Sequence, residues 1–208
     1  MKLKTFTFLT LLSLFTSCSL VFVDRMEKLK PINEYSTENI KINSKKAIDA
    51  KITFINNETV NTKIQAIQNK NGSFDALLVT SYLAIYDRNG KRNFLKNTVI
   101  KKMVITDSNN YERIFINREN YPKSLHEQIY DGKVKWYIEY GTNPYDYRTT
   151  NTNYFVNEDG REIIVGQYNN MKKKLKQFTD SKPELAEQID TMQINHKNIL
   201  ELLKKYEK

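Results

Sequence analysis

The chain has 208 residues, of which 39% are hydrophobic and 12% aromatic, while glycine and proline contribute only six and four residues. This composition excludes a collagen-like or proline-rich chain and argues against wholesale disorder, because thirteen Tyr, ten Phe and one Trp are enough to build a core. The formal charge of +9 is interleaved with acidic residues and accompanies no nucleic-acid-binding motif, so nucleic acid is a poor candidate partner.

The amino-terminal segment is typical of a secretory signal peptide. Lys2 and Lys4 form a positively charged n-region, a short apolar run from Phe6 to Phe15 follows, and small residues come next. This run is about half of the roughly 20 apolar residues that span a bilayer. We therefore expect residues 1–17 to be removed on export. An extension of the apolar run through Val23 makes an uncleaved anchor the alternative.

Cys18 is the only cysteine and lies at the end of this leader. The segment Leu14-Phe15-Thr16-Ser17-Cys18 resembles a lipobox, although Phe15 occupies the place where leucine is usual. We predict that the Cys18 thiol carries a lipid whose acyl chains hold the protein at the membrane, each buried CH₂ contributing about 0.8 kcal/mol. The alternative is an ordinary cleavage after Ser17 or Ser19. In both cases the rest of the chain has no thiol for a disulfide or for cysteine catalysis.

The next two segments predict a tether and a β-rich domain. Residues 24–46 are polar and charged, and residues 18–46 are predicted to form a lipid-anchored tether with a short first element. Residues 47–168 alternate between apolar and polar positions, which is the period of a half-buried strand. The predicted elements are a hairpin from Ile48 to Ala66, strands at Phe74–Tyr86, Asn93–Leu95, Val99–Ile105, Arg113–Asn117 and Lys133–Tyr140, one or two helical turns at Pro122–Tyr130, a polar loop at Gly141–Asn153, and a last hairpin from Tyr154 to Val165.

The apolar period changes to that of a helix in residues 169–208. Asn170 to Phe178 predicts one helix, Asp180 or Ser181 is placed to cap a second that has Pro183 in its first turn, and a third begins at about Asn195. The predicted fold class is therefore α+β, with an antiparallel, partly rolled β-sheet followed by two or three C-terminal helices packed on it or projecting from it.

Several short motifs resemble a group of exported proteins and lipoproteins of Bacteroidota. The matching stretches are Gly132-Lys133-Val134, Tyr154-Phe155-Val156, Lys172-Lys173-Lys174-Leu175 and Ser181-Lys182-Pro183-Glu184-Leu185. In that group a β-rich body precedes a Lys-rich helix, an Asp-Cys-Pro-Glu-Leu motif and a final helix. The resemblance implies an envelope location and a sheet followed by helices. The family's cysteine is replaced by Ser181-Lys182 here, and the resemblance implies no activity.

No pattern of catalytic or metal-binding residues is visible in the sequence. Only two histidines occur, His126 and His196, and neither has the spacing of a paired-ligand motif, so we expect both at the surface or in an interface. The G-x-S-x-G motif of serine hydrolases and the glycine patterns of nucleotide-binding loops are absent. We therefore predict no cofactor, no metal and no catalytic residues.

The candidate partner-binding residues are aromatic. They surround a polar loop and comprise Tyr137, Tyr140, Tyr145, Tyr147, Arg148 and Tyr154. A tyrosine ring has an apolar body and a polar tip, which suits contact with a protein or a glycan. The competing interpretation is a strand face on which these tyrosines close the edge of the core.

The sequence thus favours a non-enzymatic binding or accessory module of the cell envelope, attached to the membrane by its lipid. The partner would be an envelope protein or a glycan. No acidic run follows Cys18, which favours the periplasmic face of the outer membrane. The alternatives are an envelope hydrolase whose site is assembled only in three dimensions and a structural or stress-related spacer.

Overall fold

The computed structural model describes residues 29–42, 46–66, 74–81, 83–107, 109–166 and 170–208. The signal peptide and Cys18 lie outside these residues. The described chain has an α+β fold in which ten antiparallel strands form one open sheet and three helices follow at the C-terminus. The fold class expected from the sequence is confirmed.

The strands and helices are numbered here in chain order. The strands are β1 (Ala47–Phe54), β2 (Thr59–Gln65), β3 (Leu83–Tyr86), β4 (Arg92–Leu95), β5 (Ile100–Thr106), β6 (Glu112–Asn117), β7 (Leu125–Asp131), β8 (Lys135–Thr142), β9 (Thr149–Val156) and β10 (Glu162–Val165). The helices are α1 (Ala76–Ser81), α2 (Met171–Phe178), α3 (Glu184–Thr191) and α4 (His196–Tyr206), and short 3₁₀ turns occupy Ile32–Tyr35 and Asn97–Val99.

The sheet has the strand order β10-β9-β8-β7-β6-β5-β1-β2-β3-β4, so most neighbours are consecutive in the chain. Residues that pair directly across strands share a face of the sheet. Ile52 pairs with Met103, Met103 with Phe115, and Phe115 with Glu127, which places all four on one side. We call this side the core face and the opposite side, which carries Val104, the outer face.

Two hydrophobic clusters cover the core face. The first lies on β1 to β7 and includes Tyr35 from the amino-terminal 3₁₀ turn and Val79 from α1. The second lies on β8 to β10, where Trp136 and Phe155 pack against α2, α3 and α4. The C-terminal helices therefore pack on the sheet through their apolar stripes. No helix in the described part of the chain is long and apolar enough to cross a bilayer.

Side-chain caps define the starts of two C-terminal helices. The Asn170 side chain accepts a hydrogen bond from the Lys173 amide at the start of α2, and Asn195 accepts one from the Asn198 amide at the start of α4. The predicted cap of α3 is wrong. Pro183 itself is the cap residue and no side chain caps this helix, because Asp180 instead forms an ion pair with Arg161.

Two predicted elements have the wrong type over part of their length. The strand predicted at Phe74–Tyr86 is interrupted by α1, whose start is stabilised by a hydrogen bond from the Leu77 amide to the Asp75 carboxylate. The helical turns predicted at Pro122–Tyr130 are largely β7, which pairs with β6 from Leu125 onward.

The loop predicted at Gly141–Asn153 is much shorter in the structure. β8 continues to Thr142 and β9 begins at Thr149, and the two strands pair along this whole length. Only residues 143–148 form the connecting turn. The Thr- and Asn-rich start of β9 extends as a strand because its backbone groups pair with β8, a contribution that does not depend on apolar side chains.

Candidate functional site

The six residues predicted for partner binding do not form one surface. Tyr137 and Tyr154 pair directly across β8 and β9 and are buried on the outer face. Tyr140 is half-buried on the core face. Tyr145, Tyr147 and Arg148 lie in the turn between the two strands, where both tyrosines are largely exposed. The strand tyrosines therefore have a packing role, and of the six predicted residues only those of the turn are exposed.

The turn at 143–148 is held in one shape by hydrogen bonds. The Asn143 carbonyl accepts from the Tyr147 amide at 2.9 Å, and the Asn143 side chain accepts from the Tyr145 amide at 2.9 Å. Tyr147 has a φ of 56°, which is uncommon for a bulky residue. The exposed fractions of Tyr145 and Tyr147 are 92% and 81%. The turn thus presents two aromatic rings to solvent on an ordered backbone.

A second group of residues, far apart in the sequence, meets on the outer face. We call it the tyrosine–histidine cluster and define it as Arg118, Tyr121, His126, Tyr154 and Glu162. The His126 ring is fully buried, with its centroid 5.3 Å from that of Tyr121 and 5.0 Å from that of Tyr154. The prediction that His126 lies at the surface or in an interface is therefore wrong, because the Arg118–Ser124 loop carries Tyr121 over it.

Arg118 lies at the centre of this cluster. Its guanidinium is within 5.0 Å of the rings of Tyr121, Tyr137 and Tyr154, a distance at which cation–π attraction operates. It also forms an ion pair with Glu162, which accepts a hydrogen bond from the Tyr121 hydroxyl at 2.7 Å. These contacts hold the Arg118–Ser124 loop against the outer face.

Glu139 connects the cluster to solvent. Its Oε2 atom lies 3.8 Å from Nε2 of His126, which is beyond hydrogen-bond length, and it accepts a hydrogen bond from the Tyr154 hydroxyl at 2.6 Å. The nearby His126 ring, together with the hydroxyls of Tyr154 and Ser124, outweighs burial and lowers the pKa of Glu139 to about 2. Glu139 is therefore a carboxylate at physiological pH.

A polar cleft of about 370 Å³ opens beside Glu139, at the end of the sheet from which the 143–148 turn extends. Its volume is at the small end of the range for ligand sites. The residues that line it are mostly polar and comprise Thr80, Asn97, Lys123, Ser124, Leu125, Glu139, Tyr140 and Thr142. We call it the Glu139 cleft.

A larger groove lies on the core face where the two hydrophobic clusters meet. Its floor contains the ion pair of Arg113 with Glu127, in which both Nε and Nη2 of Arg113 donate to the carboxylate at 2.6 Å. The Tyr140 hydroxyl donates to the same carboxylate, and its pKa is raised by burial and by the Glu127 charge. The members of this network therefore satisfy one another's hydrogen-bonding groups.

The two histidines differ in burial and in their contacts. His196 is exposed and packs its ring 4.9 Å from that of Trp136, at the first residue of α4. Neither nitrogen of buried His126 has a hydrogen-bond partner among the protein atoms. Among the described residues, no three His, Cys, Asp or Glu side chains converge in a way that would hold a metal ion.

Sequence reasoning did not bring Glu139, His126, Arg118 and Tyr121 together. Glu139 and Arg118 look like ordinary surface charges in the sequence, because their partners come from strands that are adjacent only in the folded sheet. No family model, no curated protein and no solved structure matches this chain.

Proposed function

We propose that this protein is a binding module of the cell envelope, exported by its leader and attached to the membrane through a lipid on Cys18. The observation that carries the binding role is the turn at 143–148, which presents Tyr145 and Tyr147 to solvent on a hydrogen-bonded backbone. Tyrosine and arginine are enriched where proteins bind their partners. An ordered turn also loses little conformational entropy on binding.

The membrane attachment is supported by the sequence of the leader. Its charged start, short apolar run and terminal Cys18 form the pattern of a bacterial lipoprotein signal. One acyl chain gives only marginal binding, and stable attachment requires more than one chain or an added signal. The protein would then face the periplasm from the outer membrane, with the residues between Cys18 and the amino-terminal 3₁₀ turn as its tether.

The binding role is tested by capture of envelope components on the detergent-solubilised full chain. The Tyr145→Ala/Tyr147→Ala variant is expected to capture at least about tenfold less material, because truncation of an aromatic anchor weakens the binding free energy by about 2 kcal/mol or more. Tyr111→Ala is the matched control, since Tyr111 is a 65% exposed tyrosine near the β5–β6 turn. Equal capture by both variants and the unmodified chain would remove the turn from the proposal.

A hydrolase is the rival function, and the contact between His126 and Glu139 is the observation nearest to it. A general base must come within hydrogen-bond reach of its substrate. His126 is fully buried under Tyr121 and Tyr154, so a substrate in the Glu139 cleft would not reach its imidazole without movement of these rings. This geometry favours binding over hydrolysis.

A further inference from the structure

The Glu139 cleft combines a fixed carboxylate with hydroxyl and amide groups. An ionised carboxylate has about four lone-pair directions for hydrogen bonds. The hydroxyls of Tyr154 and Ser124 take two of them, and the side chain of Glu139 remains 31% exposed. Acceptor capacity is therefore left on Glu139 for a donor that enters from the cleft.

The walls of the cleft are held in place before any ligand arrives. The Asn97 side chain donates to the carbonyl of Thr80 at 2.5 Å, and its main-chain carbonyl accepts from the Asn117 side chain at 2.9 Å. These bonds join α1, the 3₁₀ turn before β5 and the end of β6. A site whose walls are already ordered avoids part of the entropic cost of binding.

The charges that line the cleft are balanced. Glu139 is a carboxylate at physiological pH and the exposed Lys123 ammonium lines the same cleft, so the two opposite charges leave little net charge to attract either an anion or a cation. The hydroxyl groups of a neutral ligand donate charge-assisted hydrogen bonds to the carboxylate.

We infer that the Glu139 cleft binds a neutral, hydroxyl-rich ligand, namely a sugar unit of an uncharged glycan, with the Glu139 carboxylate as the acceptor for its hydroxyls. This inference rests on the proposed role as a binding module and names the class of ligand. Thr142 lines the cleft and lies immediately before the 143–148 turn. A longer glycan that enters the cleft would therefore continue toward the exposed tyrosines.

The inference is tested by calorimetric titration of the full chain with maltotriose, cellotriose, chitotriose and the anionic trigalacturonate. At least one neutral trisaccharide is expected to bind saturably with a Kd between about 1 μM and 1 mM. Glu139→Gln keeps the shape of the side chain and removes its charge, so it should weaken this binding at least about tenfold. The matched control is Glu158→Gln, an exposed acid in the β9–β10 turn, which should bind as tightly as the unmodified chain.

Three results would overturn the inference. They are no binding of any neutral trisaccharide up to about 10 mM, equal affinity in Glu139→Gln, and a preference for trigalacturonate. Circular dichroism of Glu139→Gln checks that the variant is folded. Lys123 lies at an exposed position, and Lys123→Ala gives a second variant of the same cleft. If Tyr145→Ala/Tyr147→Ala still binds the sugar but no longer captures envelope components, the cleft and the turn act separately.

Discussion

At the scale of single residues, Asp87 shows how a buried charge is stabilised in this protein. Its side chain is almost inaccessible and lies at the end of β3. One carboxylate oxygen accepts from the amides of Asn89 and Lys91, and the other accepts from the Lys30 ammonium at 2.9 Å. Burial alone would raise the pKa of Asp87, but these bonds outweigh it and lower the pKa to about 2.

Replacement of Asp87 by Asn should make the protein less stable in a pH-dependent way. The pKa of Asp87 is lower in the folded chain than in the unfolded one, so its ionisation stabilises the fold above about pH 4, and this contribution disappears as the pH falls toward about 2. We expect Asp87→Asn to cost about 2 kcal/mol at pH 7. Urea unfolding of both proteins between pH 2 and 7 measures this difference.

The expected signature is a gap between the two unfolding free energies that closes on acidification. Asp159→Asn, at an exposed position of the β9–β10 turn, is the control and should follow the unmodified protein at every pH. A gap that stays constant down to pH 2 would mean that Asp87 acts through packing and not through its charge.

At the scale of elements, two polar residues of β7 account for the wrong prediction of helical turns. Glu127 occupies a core-face position of β7, where a strand pattern predicts an apolar residue, and its side chain is only 8% exposed. The neighbouring His126 lies on the outer face and is buried as well. Glu127 is tolerated there because Arg113 on β6 and Tyr140 on β8 satisfy it. The alternation that identifies a strand is therefore hidden by a tertiary ion pair.

This account of β7 predicts the stability of two variants. Glu127→Ala leaves the Arg113 guanidinium, which is 16% exposed, without its carboxylate and should cost about 3–5 kcal/mol. The double variant Arg113→Met/Glu127→Leu removes both charges and should recover most of that loss. Thermal and urea unfolding of the three proteins measure the difference. A double variant no more stable than Glu127→Ala would show that the ion pair is not the reason for the loss.

At the scale of the whole molecule, the described chain is one sheet with hydrophobic cover on its core face. The helices α2 to α4 cover β8 to β10, and the amino-terminal 3₁₀ turn and α1 cover part of the remaining strands. The end of α4 also contacts the β7–β8 turn, where the Lys133 amide donates to the Glu207 side chain at 2.8 Å. A Cβ atom at Gly132 would lie 1.7 Å from the Glu207 carboxylate, so the Glu207 side chain would have to move if this glycine were replaced. This arrangement leaves the 143–148 turn and the Glu139 cleft free at one end of the sheet.

The proposed attachment of the whole molecule to a membrane is tested by metabolic labelling with a fatty-acid analogue. The unmodified chain is expected to incorporate the label and to partition with membranes, because the Cys18 thiol is the only side chain able to carry the thioether. Cys18→Ala should lose the label. Equal labelling of both proteins would contradict the lipoprotein proposal while leaving the folded domain and its cleft unaffected.

Much of the fold was predictable because its strands follow local rules. Ile48, Ala50, Ile52 and Phe54 alternate along β1 and are all buried. The starts of α2 and α4 lie at the asparagines that the pattern indicated. Errors occurred where two patterns coexist. In α1 the apolar residues fit both a strand and a helical turn, and the Asp75 bond to the Leu77 amide favours the helix.

The sequence by itself determined the alternating strands, the helical tail and the aromatic turn, because backbone geometry and apolar periodicity act over a few neighbouring residues. Only the tertiary structure decided that Tyr137 and Tyr154 are buried, that His126 lies under Tyr121, and that Glu139 faces a cleft. The physical reason is that the burial and charge state of a polar side chain depend on partners contributed by distant parts of the chain. The strand order β8-β7-β6 and the Arg118–Ser124 loop bring those partners together.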